Sequence, residues 1–217
     1  LWDGNWLNWN ATGGSVPRQR QEIVQDATNQ LIDSHSGVNV GLMRFHVEEG
    51  VPVLAALSDV DASRTALRTT LDEIQANGWS PLSETLYEAG QYYAGRDVVF
   101  GDAEEPGSVA AARRGGDPTA TGYRSPLTDA CQKNYVVLLT DGAPSQDTSA
   151  NELIQALPGY ASLVGPGCSG TGDGACLADM AEYLFKQDLD TNAAGIQNVT
   201  TYTVGFTVDL PLLEETA

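Results

Sequence analysis

One apolar run in this chain ends in a carboxylate. Tyr135 to Leu139 lead straight into Thr140, Asp141 and Gly142, within NYVVLLTDG. Read as a buried parallel strand, the run delivers Asp141 to the carboxyl edge, where open α/β sheets bind ligands. A carboxylate there can hold a divalent cation directly or through water. The plainer reading is an Asp that caps a turn with Gly142. A second feature is SPLSET, where Ser80 stands at a loop-to-helix transition. Its hydroxyl either caps that helix or helps coordinate a hard cation. The surroundings of His35 and His46 support no nucleophilic triad. No Gly-rich phosphate loop with its Lys occurs, since the glycines of SGTGDG follow no strand.

The elements that must position Asp141 and Ser80 alternate in type. Spacing predicts a helix from Pro17 to about Asp33, with Ile23, Val24, Ala27 and Leu31 in phase and proline in its first turn. Val38–Phe45 and Val51–Leu57 read as strands joined by the Glu48-Glu49-Gly50 turn. A helix capped by Asp59 or Asp61 should run to Gln75, with Ala62, Ala66, Leu67, Leu71 and Ile74 as its apolar stripe. The helix after Ser80 carries Leu82, Leu86, Ala89 and Tyr93 on one side, so Tyr92 and Tyr93 read as half-buried surface. Short helices are expected at Asn151–Leu157 and Ala175–Phe185, and a strand at Val199–Phe206. The closing DLPLLEETA reads as cut off rather than capped. From about 95 to 130 the chain is polar and rich in Gly and Pro, which predicts an insertion or a mobile surface loop. Helices interleaved with strands imply a layered α/β fold.

Charge narrows the partners. Asp and Glu number 29 against 11 Lys and Arg, a net −18, while 41% of the 217 residues are hydrophobic. That is ordinary globular composition with an acidic surface. It disfavours nucleic acid and anionic lipid, and permits divalent cations and basic partners. No segment reaches the roughly 20 apolar residues of a membrane helix, so membrane insertion is not expected. Cys168 and Cys176 bracket GPGCSGTGDGAC, a Gly/Cys loop at about 160–175 that a disulfide would clip, as expected in an oxidising compartment. Three unrelated thiols, or a pairing that involves Cys131, are the alternatives. Trp2, Trp6 and Trp9 are read as packing over the sheet end or the insertion, with an adhesive patch as the alternative.

Two of these segments together, GWSPLSETLYEA (Gly78–Ala89) and NYVVLLTDGAPS (Asn134–Ser145), resemble the von Willebrand factor type A domain. WLNWN (Trp6–Asn10), CQKNYVVLLTDGAPS (Cys131–Ser145), CLADMAEYLF (Cys176–Phe185) and NVTTYTVGF (Asn198–Phe206) resemble the N-terminal domain of the PilY/PilC proteins of type IV pili. That resemblance implies a three-layer, doubly wound, mostly parallel α/β sheet with long insertions, residues 1–217 forming one incomplete domain. It implies a metal-ion-dependent adhesion site in which Asp141 matches the Asp after a central strand. Ser80 falls where the family usually has Thr, and both offer a hydroxyl oxygen. The family's Asp-x-Ser-x-Ser motif, with the first strand that carries it, is absent, and Asp3 does not replace it. Mg²⁺ or Mn²⁺ is therefore expected only where that motif is present upstream, and Ser80 with Asp141 alone should bind weakly.

The implied role is a non-enzymatic adhesion and pilus-assembly module. It would lie outside the cell, at the pilus tip or outer surface of a Gram-negative bacterium. Its implied partners are minor pilins and host or surface ligands. A structural pilus-capping or biogenesis domain with a vestigial metal site is the alternative, and a metal-dependent hydrolase a third reading.

Overall fold

The computed structural model describes residues 19–45, 51–75, 77–103, 105–206 and 209–217. Trp2, Trp6, Trp9, Asp3, His46 and the Glu48-Glu49-Gly50 turn lie outside the described residues. Among the described residues the chain is mixed α/β, with seven α-helices and two small sheets, one antiparallel and one parallel.

The first sheet is a hairpin. β1 (Asn39–Met43) pairs antiparallel with β2 (Val53–Asp59). Two helices, α1 (Arg20–Ser34) and α2 (Val60–Glu73), accompany it. Asp59 caps α2 by accepting the Asp61 amide at 2.8 Å, the role its position predicts. Ile32 of α1 and Val60, Leu67 and Leu71 of α2 are buried together, with Val40, Leu42 and Ala55 of the hairpin against them. Leu67 and Leu71 belong to the stripe expected for α2, but Ala62 and Ala66 are exposed. Helix α1 buries Ile32 in place of the expected Ile23, Ala27 and Leu31, which are exposed. Burying an apolar face is what makes two short helices stable.

The second sheet pairs β3 (Asn134–Thr140) with β4 (Val199–Gly205) in parallel, in unbroken register from Asn134–Val199 to Thr140–Gly205. Asn134, Leu138, Val199 and Thr201 face inward and are buried. They join a core built with α3 (Leu82–Tyr93), α4 (Asn151–Gln155), α5 (Tyr160–Leu163), α6 (Leu177–Lys186) and α7 (Pro211–Thr216). The other face is bare: Tyr135 and Val137 are 52% and 53% exposed, beside exposed Tyr202 and Val204. The two tyrosine rings lie 6.0 Å apart on it. The apolar run of β3 predicts a strand covered on both faces, and among the described residues it is covered on one. The helix α7, in the closing DLPLLEETA segment, has proline in its first turn and buries Leu213.

Helix α3 departs most from its periodicity. All twelve of its residues are buried, including Ser83, Glu84, Thr85, Glu88 and Gln91. One side packs on α6, where a Cβ on Gly90 would come within 2.7 Å of the Met180 methyl. The polar side is covered by the segment from about 95 to 130, expected to be an insertion or a mobile surface loop. That segment is tied down. Glu88 accepts the amides of Val99 (3.1 Å), Phe100 (2.9 Å) and Gly101 (3.0 Å), and the Tyr123 hydroxyl donates to it at 2.6 Å. Arg113, itself buried, donates to the carbonyls of Ser108 and Ala120 and pairs with Asp102. A Cβ on Gly101 would fall on the hydroxyls of Tyr123 and Ser108 and on Glu88, so only glycine fits there. Tyr92 and Tyr93 are buried rather than half-exposed. Tyr92 accepts the Leu57 amide and Tyr93 donates to the Tyr135 carbonyl, both at 2.9 Å.

Cys168 and Cys176 form a disulfide, Cα atoms 4.8 Å apart, and Cys131 is free and exposed. The pairing leaves one thiol for alkylation in the oxidised protein, and mass spectrometry should find it on Cys131. Closing a separation of 8 residues constrains the unfolded chain by roughly 2–3 kcal/mol. Reduction should lower urea stability by about that much.

Candidate functional site

The carboxyl end of β3 is fixed by backbone pairing. The Phe206 amide donates to the Thr140 carbonyl at 2.8 Å, which extends the parallel ladder to its last residue. Thr140 is buried, and its hydroxyl oxygen bonds both the amide (3.3 Å) and the carbonyl (3.0 Å) of Gly142. The chain therefore turns immediately, and Asp141 is left exposed at the sheet edge, where its position after the apolar run predicts it. Its carboxylate lies 3.3 Å from the guanidinium of Arg20, at the start of α1. Both side chains are about half exposed, so the pair is solvent-screened and contributes little to stability.

Ser80 is brought to the same loop. Its amide donates to the Ser145 hydroxyl at 3.0 Å, and the Ser145 amide donates back to the Ser80 carbonyl at 3.1 Å. Sequence spacing gives no hint of this reciprocal pair, whose members lie 65 residues apart. The Ser80 hydroxyl does not cap α3. Pro81 holds the N-cap position, with no side chain to accept a hydrogen bond.

Asp147 does the capping from the other loop. It is fully buried and accepts the Ser83 amide at 2.9 Å, the Ser83 hydroxyl at 3.0 Å and the Glu84 amide at 3.3 Å. Its own amide donates to Asp173 at 2.9 Å, and the Ser149 amide donates to Glu84 at 3.2 Å. Burial pushes the Asp147 carboxyl up to about 6, against the downward pull of the Ser83 and Glu84 donors, and Asp173 adds to the rise. Between Ser145 and Asp147, Gln146 adopts φ 52°, the only positive φ of a non-glycine among the described residues. Such backbone is costly, and it persists here because both neighbours are anchored, Ser145 on the Ser80 turn and Asp147 on α3. Residues 141–147 are thus a braced loop that presents Asp141 beside the Ser80 turn.

The donors are of the right kind for a hard cation: one carboxylate and the hydroxyls of Ser80 and Ser145. They are too few to enclose one. Among the described residues no cluster of three or more Asp, Glu, His or Cys side chains is arranged to hold a metal. Arg20 also occupies the Asp141 carboxylate, so a cation would have to displace it.

Of the residues singled out in the sequence, Ser80 is bonded to Ser145, four residues beyond Asp141 on the same loop. His35 does not join them. Its Nδ1 lies 2.9 Å from the Leu31 carbonyl at the end of α1. No family model, curated protein or solved structure matches the chain.

Proposed function

We propose that this chain is an extracellular adhesion and assembly module of the type IV pilus tip, acting through the loops at the carboxyl end of β3. One observation carries the proposal. An exposed carboxylate, Asp141, is held at the end of a parallel strand on a loop locked to the turn of Ser80. That is where an open α/β sheet recognises ligands. The motif resemblance supplies the biological setting.

The three-layer arrangement belongs to the same reading. The bare face and unpaired edge of the β3–β4 pair leave room for a further strand and a covering helical layer, since parallel sheets are buried on both faces. In that arrangement the Asp-x-Ser-x-Ser residues of the first strand would join Asp141 and Ser80 around Mg²⁺ or Mn²⁺. The cation would supply a positive centre for an acidic group of the partner, and Asp141 would turn from Arg20 to face it.

Asp141→Ala should abolish Mg²⁺ and Mn²⁺ binding, measured by calorimetry on a chain that includes the upstream motif. In cells, surface attachment should fall while piliation stays normal. Piliation lost together with attachment would favour the structural capping role instead. Attachment and cation binding both unchanged would remove the proposal.

A further inference from the structure

A groove of about 480 Å³ opens at the opposite end of β3 from Asp141. Seven residues of extended strand separate the two ends, roughly 20 Å at about 3.3 Å per residue. The groove is therefore separate from the Asp141 loop, although its Tyr135 wall belongs to the face that the three-layer arrangement would cover. Its walls include Val38 just before β1, Asn39 at its start, Leu57 of β2, and Tyr135 of β3. This volume lies within the range of pockets that hold small ligands or a few residues of peptide.

Its charge is opposite to that of the molecule. Arg124 and Lys133, two of only 11 basic residues in a chain of net −18, line the groove, and no Asp or Glu is among its described lining. Both are exposed, and among the described residues neither forms an ion pair. Five other bases are matched: Arg20 with Asp141, Arg64 with Asp61, Arg68 with Asp33, Arg113 with Asp102 and Lys186 with Glu182. Arg44, Arg96 and Arg114 form no ion pair among the described residues but lie outside the groove lining. A low-dielectric concave wall focuses the field of two unmatched cations. The exposed ring of Tyr135 adds apolar contact with a polar tip, a combination favoured at binding surfaces.

We propose that this groove docks an acidic peptide segment of a partner protein. Its carboxylates would sit against Arg124 and Lys133, and its aliphatic side chains against Val38, Leu57 and Tyr135. A second copy of this chain is a poor occupant, because two molecules of charge −18 repel.

The test is fluorescence anisotropy with a fluorescein-labelled peptide Val-Glu-Val-Glu-Val-Glu, against the matched peptide with Lys in place of Glu. The Glu peptide should bind at low ionic strength and weaken as salt rises. Its affinity should fall at least tenfold for the double variant Arg124→Gln/Lys133→Gln with an unchanged urea midpoint. The milder variants Arg124→Lys and Lys133→Arg should retain binding. Equal binding of the Lys peptide, no binding of the Glu peptide, or indifference to the double substitution would each overturn the proposal. So would sedimentation that shows a dimer whose formation excludes the peptide.

Discussion

Replacing Glu88 by alanine should destabilise the protein by roughly 3–5 kcal/mol, because it takes away the acceptor of three loop amides and leaves the Tyr123 hydroxyl with Ser108 alone. Three amides, from Val99, Phe100 and Gly101, and the Tyr123 hydroxyl converge on that one carboxylate. Burial raises the Glu88 pKa, while the Tyr123 hydroxyl and the three amides pull it down. Glu88→Gln keeps the size and one acceptor oxygen, and it should cost less than half as much. Urea unfolding followed by circular dichroism measures both. Limited proteolysis adds a local readout: Glu88→Ala should open cleavage between residues 95 and 127 before the rest of the fold. Uniform resistance in that segment would mean that Arg113 and Phe100 hold it without Glu88.

The second large effect belongs to Asp147. Asp147→Ala removes the cap of α3 and leaves the Ser83 amide, the Ser83 hydroxyl and the Glu84 amide without their acceptor. The expected loss is roughly 2–4 kcal/mol. Its pH dependence has a definite sign. The folded-state pKa is raised from 3.8 to about 6, so the folded protein binds the proton more tightly than the unfolded chain. This contribution to stability is complete below the unfolded value and is lost as pH rises through about 6. Asparagine does not titrate there, so the stability of the native protein minus that of Asp147→Asn isolates the term. That difference should fall by roughly 2–3 kcal/mol between pH 3.5 and 7.5. A difference that is flat with pH would place the Asp147 carboxylate in better-solvated surroundings than the buried loop provides.

The parts of this fold that depend on local pattern were legible in the sequence. The hairpin, the Asp59 cap, the Leu67–Leu71 part of the α2 stripe and the strands β3 and β4 follow from spacing and from residue type. Asp141 was legible for the same reason, since a strand end is a local feature. The interior of α3 was not. Glu84, Glu88 and Gln91 look like a solvated face until their partners are known. Those partners are loop backbone 6 residues beyond Gln91, 11 to 13 beyond Glu88 and 65 beyond Glu84. The same holds for the braced loop. Ser145 and Asp147 are unremarkable polar residues after a strand, and their role exists only once α3 is packed beside them. A segment rich in Gly and Pro likewise reads from its composition as an insertion or a mobile surface loop, and Glu88 and Arg113 anchor it from the inside.

Cys131, the single free thiol, is exposed two residues before Lys133. It therefore stands at the rim of the Arg124–Lys133 groove, on the chain that leads into β3. An environment-sensitive dye attached there would act as a reporter for whatever enters the groove. The Cys168–Cys176 bridge withholds the other two sulfurs from the same chemistry. The protein thus carries a natural single-site probe at its basic end, about the length of β3 from Asp141.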